Sequence, residues 1–191
     1  MRELVEAIRT QGVGVGDDIV KVDMFLNHRL DTELVVKMGQ AFADAFAAEK
    51  PELVLTVEAS GIAAALTTAM ALGNIPVVFA KKARTRNVTG DVYEAAVFSF
   101  THGVENHIRV SKAYLPSGSR VLIVDDFLAN GAAATGLCEI AHQAGCTVTG
   151  VGVCVEKCFQ PGRQKLEGMG YKVVALAKVE GISNGQLVVK D

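Results

Sequence analysis

From residue 53 onward the chain repeats a pattern that few folds can accommodate. Leu53-Val54-Leu55-Thr56-Val57 is a run without polar alternation that stops at Glu58-Ala59-Ser60-Gly61, and an Ala/Leu/Met-rich helical stretch follows to Gly73. Val77-Val78-Phe79-Ala80 is a second such run. Val121-Leu122-Ile123-Val124 is a third, followed by Asp125 to Gly131 and a helical stretch to about Ala144. Val148 to Val155 is a fourth. Strands without alternation are buried on both faces, and parallel strands joined by helical crossovers bury them that way. The expected fold is α/β, a mostly parallel sheet flanked by helices. Ligands of such sheets gather at the carboxyl ends of the strands.

The segments outside this rhythm are expected to be a hood and an insertion. Leu4, Val5 and Ile8 recur at helical spacing and stop at Gly12. After an extended piece, Ile19 to Val22, a second helix is expected from about Asp31, a good N-cap, to about Glu49. Phe25-Leu26-Asn27-His28 belongs to neither element. Residues 81 to 112 carry Lys81, Lys82, Arg84 and Arg86, a turn at Thr89-Gly90-Asp91, and two strand-like pieces, Ala95 to Phe100 and His107 to Val110. Such an excursion between core strands is an active-site lid or a linker. No repeat or low-complexity tract divides the chain. One domain is expected over 1–191, with about 1–50 as hood and N-terminal helices and about 51–191 as core.

Composition narrows the function classes. Half of the 191 residues are apolar, enough for a full core, and the formal net charge is only -2. That balance leaves no basic face for nucleic acid or an anionic membrane. No apolar run reaches membrane-spanning length and the first residues have no secretory pattern, so a cytoplasmic protein is expected. Cys138, Cys146, Cys154 and Cys158 form no C-x-x-C pair and sit in apolar surroundings, where buried thiols in a reducing compartment are expected. His28, His102, His107 and His142 show no nucleophilic or metal-ligating constellation, and no protein metal site is expected.

Val121 to Ala134 carries the strongest chemistry. An apolar strand ends in two carboxylates, then a turn, then small residues opening a helix. Unpaired N–H groups and the dipole at a helix start suit a phosphate, and Ala129, Asn130, Gly131, Ala132 and Ala133 are small enough to let it reach the backbone. Asp125 and Asp126 can accept from a sugar diol or help hold a hydrated metal. The same pattern also occurs as a solvated turn with an N-cap. No Walker A loop and no G-x-G-x-x-G fingerprint is present.

This stretch resembles the phosphoribosyl pyrophosphate signature of the type I phosphoribosyltransferases. Lys21 to His28, Thr56 to Ala63, Val77 to Lys82 and Glu156 to Arg163 extend the resemblance over nearly the whole chain, towards the xanthine-using branch. The resemblance implies that Asp125 and Asp126 are catalytic and contact the ribose hydroxyls, and that Ala129 to Ala133 bind the 5-phosphate. It implies that Glu58, Ala59, Ser60 and Gly61, with Lys81 and Lys82, hold the diphosphate. Base contacts fall to Val20, Asn27, Lys157 and Phe159. A lysine at Lys157 can donate to a 6-oxo group and offers adenine's amine no acceptor. The Asn27 amide can donate to xanthine's 2-oxo group or, turned round, accept from guanine's amine.

The implied substrates are xanthine and phosphoribosyl pyrophosphate, with Mg²⁺ bound through the substrate, in a homodimer. Hypoxanthine, guanine and adenine enzymes are the alternatives, and a non-catalytic purine regulator is the alternative from another class. The chain departs from the family at three positions. Members often have Thr at Asn130 and Thr or Ser at Ala133, and the hypoxanthine-guanine enzymes carry Asp at Ala129. The phosphate therefore depends more on backbone donors here.

Overall fold

The computed structural model describes residues 1–82, 90–99 and 104–190, with only the backbone of 98, 99, 104 and 105. Arg84, Arg86, Thr89, Phe100 and His102 lie outside the described residues.

The amino-terminal part is built from α1 (Arg2–Gln11), a small antiparallel pair β1 (Val13–Val15) and β2 (Ile19–Lys21), and α2 (Thr32–Phe46). Asp31 caps α2 as its side-chain chemistry predicts, accepting the Leu34 N–H at 3.1 Å. A 3-10 turn carries that helix on to Glu49. Phe25 and Leu26 lie in a π-helical turn, Asp23–Asn27, and bury their side chains in the core.

The core runs β3 (Leu53–Val57), α3 (Gly61–Ala71), β4 (Val77–Ala80), the hairpin β5 (Val92–Ser99) and β6 (Val104–Ser111), β7 (Arg120–Leu128), α4 (Ala132–Gln143), β8 (Thr147–Lys157), α5 (Gly162–Gly168), β9 (Val173–Ser183) and β10 (Gln186–Val189). The six-stranded sheet has the order β10-β9-β8-β7-β3-β4, and only β10 is antiparallel to its neighbour. Its two buried faces account for the continuous apolar runs. Leu4, Ile8, Phe42, Phe46 and Ala65 pack on one face, and Leu137, Ile140, Ile108 and Leu166 on the other.

Strand order reverses between β3 and β7. From β3 the chain steps outward to β4; from β7 it steps the other way through β8 to β9. A crevice at the carboxyl ends of the two strands is the consequence of such a reversal. Backbone pairing between β3 and β7 stops at Leu55 with Ile123, and β7 continues against β8 as far as Leu128 with Glu156.

Three expectations need correction. The third apolar run does not end at Val124, because β7 includes Asp125 to Leu128; pairing with β8 holds those residues extended while their opposite edge opens into the crevice. Strands β9 and β10 lie beyond the sequence series, since β9 mixes Lys178 and Glu180 into its apolar residues as an outer strand can. Cys158 is exposed on the turn after β8, unlike the buried Cys138, Cys146 and Cys154.

The insertion is held down from both sides. Gln143 at the end of α4 accepts the Glu94 N–H at 3.2 Å and donates to the Glu94 carbonyl at 2.8 Å. Lys81 and Arg109 exchange two backbone hydrogen bonds of 2.9 Å. Arg109 donates to the Glu94 carboxylate across the hairpin, at 2.5 and 3.1 Å. The hairpin's apolar side, Ala95, Ile108 and Val110, covers α4.

Candidate active site at the strand-order reversal

A cleft of about 690 Å³ opens at the carboxyl ends of β3 and β7, a volume ordinary for a small-molecule site. Its floor holds Val57, Glu58 and Ser60 from the β3 side and Asp125, Asp126 and Phe127 from β7. Ala129, Asn130, Ala132 and Ala133 form one end. Lys157 and Gln160, with Asp18 and Ile19 of the hood, form the other, and Lys82 with Val97, Asn106 and Ile108 closes the rim.

The small-residue end is shaped by backbone. Gly131 adopts φ +82°, a conformation glycine takes without strain, and it turns the chain into α4. Asn130 Oδ1 accepts the Ala132 N–H at 2.9 Å, so the other first-turn donors are left to a ligand. The loop is propped from behind, because Gly162 donates its N–H to the Ala129 carbonyl at 3.0 Å. Arg163, next in sequence, clasps the buried Glu156 carboxylate with two bonds of 2.6 and 2.7 Å. The Gln160 to Arg163 motif thus has a supporting task that its sequence did not suggest.

Asp125 and Asp126 are both buried in the floor. Burial, then the charge of Asp126 beside it, pushes the Asp125 carboxyl well above the usual carboxylate range. Asp125 Oδ1 accepts the Asp126 backbone N–H at 2.9 Å. On the β3 side, the loop from Glu58 contains a cis peptide between Glu58 and Ala59. Glu58 Oε1 accepts the Lys82 N–H at 2.7 Å and ties that loop to the end of β4. Lys82 reaches the cleft rim, whereas Lys81 belongs to the bridge with Arg109 and does not line the cleft.

At the far end, Lys157 Nζ donates to the Asp18 carbonyl at 2.7 Å and stands 5.9 Å from the Phe127 ring centre. Burial pulls its ammonium below the ordinary lysine range, with the Asp18 charge opposing. Lys157 is not paired with Glu156, whose partner is Arg163. Of the other residues expected at the base, Val20 is buried in the core, and Asn27 and Phe159 are exposed outside the cleft lining. Among the described residues, the aromatic ring lining the cleft is Phe127. Simple alternation along β7 does not find it, because Phe127 packs with Leu122 and Val124 while Leu128 packs with Val121 and Ile123, so the two-residue period breaks past the acid pair.

Among the described residues, no three His, Cys, Asp or Glu side chains converge as a metal site, and no helix is long and apolar enough to cross a membrane.

Residues 28–181 match the family model described as phosphoribosyl transferase domain. The chain is 48% identical to a xanthine phosphoribosyltransferase of Geobacillus thermodenitrificans, over 97% of this chain and 95% of that one. It is 50% identical to one of Bifidobacterium adolescentis, over 95% and 94%. Among solved structures, adenine phosphoribosyltransferases share the fold. The Rhodothermus marinus enzyme has TM-score 0.75 at 20% identity, covering 94% of this chain and all of that one. The Saccharomyces cerevisiae enzyme has TM-score 0.72 at 23% identity, covering 92% and 99%. With the family model spanning residues 28–181 and relatives 48% and 50% identical over nearly its whole length, the chain belongs to the phosphoribosyl transferase domain family.

Proposed function

We propose that the protein transfers the phosphoribosyl group of phosphoribosyl pyrophosphate to xanthine, giving xanthosine 5'-monophosphate and diphosphate. The observation that carries this reading is the meeting, in one cleft, of an acid pair, a helix start of small residues and a lysine at the opposite end. The phosphate sits on the Ala129 to Ala133 backbone and the ribose hydroxyls on Asp125 and Asp126. Diphosphate lies by Glu58 to Gly61 and Lys82, and Lys157 donates to the base's 6-oxo group. Phe127 offers the face against which the base packs. The hood's Asn27 lies outside the cleft lining, so its donation to the 2-oxo group requires the hood to close over the bound base; the Lys157 bond to the Asp18 carbonyl fastens the hood to that end of the cleft. The names of the two relatives support xanthine over other purines.

Bond breaking to diphosphate runs ahead of attack by the purine nitrogen, so positive charge develops at the ribose carbon. The protein's contribution is placement and charge stabilisation, and no side chain is assigned as general base. Asp18, Glu58, Asp125 and Asp126 outnumber Lys82 and Lys157 among the described charged residues of the lining. An anionic substrate fits such a cleft when it brings its own cation. Mg²⁺ arriving with the substrate would neutralise charge on the leaving diphosphate, and Asp125 and Asp126 are the residues that would hold its water shell. A cytoplasmic homodimer is the proposed working form.

The test is to incubate the protein with phosphoribosyl pyrophosphate, Mg²⁺ and xanthine and identify the product by mass spectrometry. Xanthosine 5'-monophosphate and diphosphate in equal amounts are expected. Absence of the nucleotide with intact, folded protein would overturn the proposal.

A further inference from the structure

Thr56 comes one residue after the last backbone pair between β3 and β7, and its side chain is fully buried. Among the described residues its Oγ1 has no hydrogen-bond partner. A buried hydroxyl left unpaired costs free energy, and a methyl group in its place would not carry that cost. Its surroundings show which partner it faces. Gly61 opens α3 beside it, and a Cβ added there would lie 2.2 Å from Thr56 Oγ1 and 2.7 Å from Asp125 Oδ1. Both oxygens therefore border the one space that a side chain at Gly61 would fill. The same Asp125 Oδ1 accepts the Asp126 N–H at 2.9 Å, so this oxygen is the one held by the protein. A carboxylate oxygen can take a second donor, and a threonine hydroxyl has one proton to give.

We propose that Thr56 is a positioning residue of the phosphoribosyl site, its hydroxyl donating to Asp125 Oδ1 when substrate is bound so that the other carboxylate oxygen is aimed at the ribose. The inference rests on the phosphoribosyl reading of the cleft and adds to it the group that fixes the rotation of the Asp125 carboxyl. Gly61, by lacking a side chain, keeps the space beside Thr56 and Asp125 clear. Substituting a larger residue at Gly61 would push one oxygen or the other aside.

The experiment compares wild type, Thr56→Val, Thr56→Ser and Gly61→Ala. It measures KM for each substrate, direct calorimetric binding of phosphoribosyl pyrophosphate, and melting temperature. Thr56→Val should raise KM for phosphoribosyl pyrophosphate about tenfold and leave KM for xanthine within about twofold. Its melting temperature should be unchanged or higher, since an unpaired buried hydroxyl has been removed. Thr56→Ser keeps the hydroxyl and should recover most of the loss, and Gly61→Ala should show the same split as Thr56→Val. A Thr56→Val protein with wild-type KM for phosphoribosyl pyrophosphate overturns the inference alone. So does an equal rise in both KM values with a lowered melting temperature, the mark of a packing role. Wild-type protein that binds no phosphoribosyl pyrophosphate overturns the phosphoribosyl reading, and the inference falls with it.

Discussion

The two ends of the cleft are built by different means. The phosphoribosyl end comes from short contiguous stretches, Glu58 to Gly61 and Asp125 to Ala133, each following a central strand. It presents backbone and two buried carboxylates, and the start of α5 props it from behind. The base end is assembled from Asp18 and Ile19 in the hood, Phe127 on β7, and Lys157 and Gln160 at the end of β8. It is lined by residues from separate segments, two of which are joined by a bond from Lys157 Nζ to the Asp18 backbone carbonyl. In the proposed reading, the end built from contiguous stretches binds the phosphoribosyl donor. An end made of side chains on separate segments can change its base without disturbing the sheet.

The largest effect should come from the contiguous end. Replacing Asp125 and Asp126 together by Asn should lower kcat/KM by at least about tenfold to a hundredfold, or about 1–3 kcal/mol of transition-state stabilisation. All bases should suffer alike, and thermal stability should hardly move. Steady-state kinetics with two bases checks this, and a base-dependent loss would erase the division between the ends.

Lys157→Met should cut kcat/KM for xanthine about tenfold to a hundredfold, as losing a charged hydrogen bond does. Binding of phosphoribosyl pyrophosphate alone, read by calorimetry, should stay near wild type. Weaker binding of that substrate would show the two ends to be coupled through β8.

How legible each end was in the sequence follows from the same difference. Asp125 to Ala133 could be read as a unit because one strand, one turn and one helix start present it in chain order. The apolar runs revealed the parallel sheet for a similar reason: burial on both faces leaves a local mark. The base end left no such mark. The acid pair resembles a strand terminus in sequence and hides Phe127, while pairing with β8 carries β7 on to Leu128. Phe159 was favoured by its nearness to Lys157 in sequence, yet it lies exposed beyond the strand. Asp18 enters through its backbone carbonyl, which no residue type announces. Glu156 pairs with Arg163 instead of Lys157, a choice fixed by where α5 begins.

A smaller effect is expected at the hood. Asn27→Ala should lose about 1 kcal/mol with xanthine, the worth of one neutral hydrogen bond, and much less with hypoxanthine, which has no 2-oxo group. Relative kcat/KM for the two bases reads this directly. Equal losses would mean that the hood acts on closure of the site and not on the choice of base.

Selection of xanthine by the Lys157 end of the cleft is tested most directly with a panel of xanthine, hypoxanthine, guanine, adenine and uracil at saturating phosphoribosyl pyrophosphate, with diphosphate release followed for each. The highest kcat/KM is expected for xanthine, with no measurable turnover of adenine, whose 6-amine finds no acceptor on Lys157. A higher kcat/KM for hypoxanthine or adenine than for xanthine would contradict that selection.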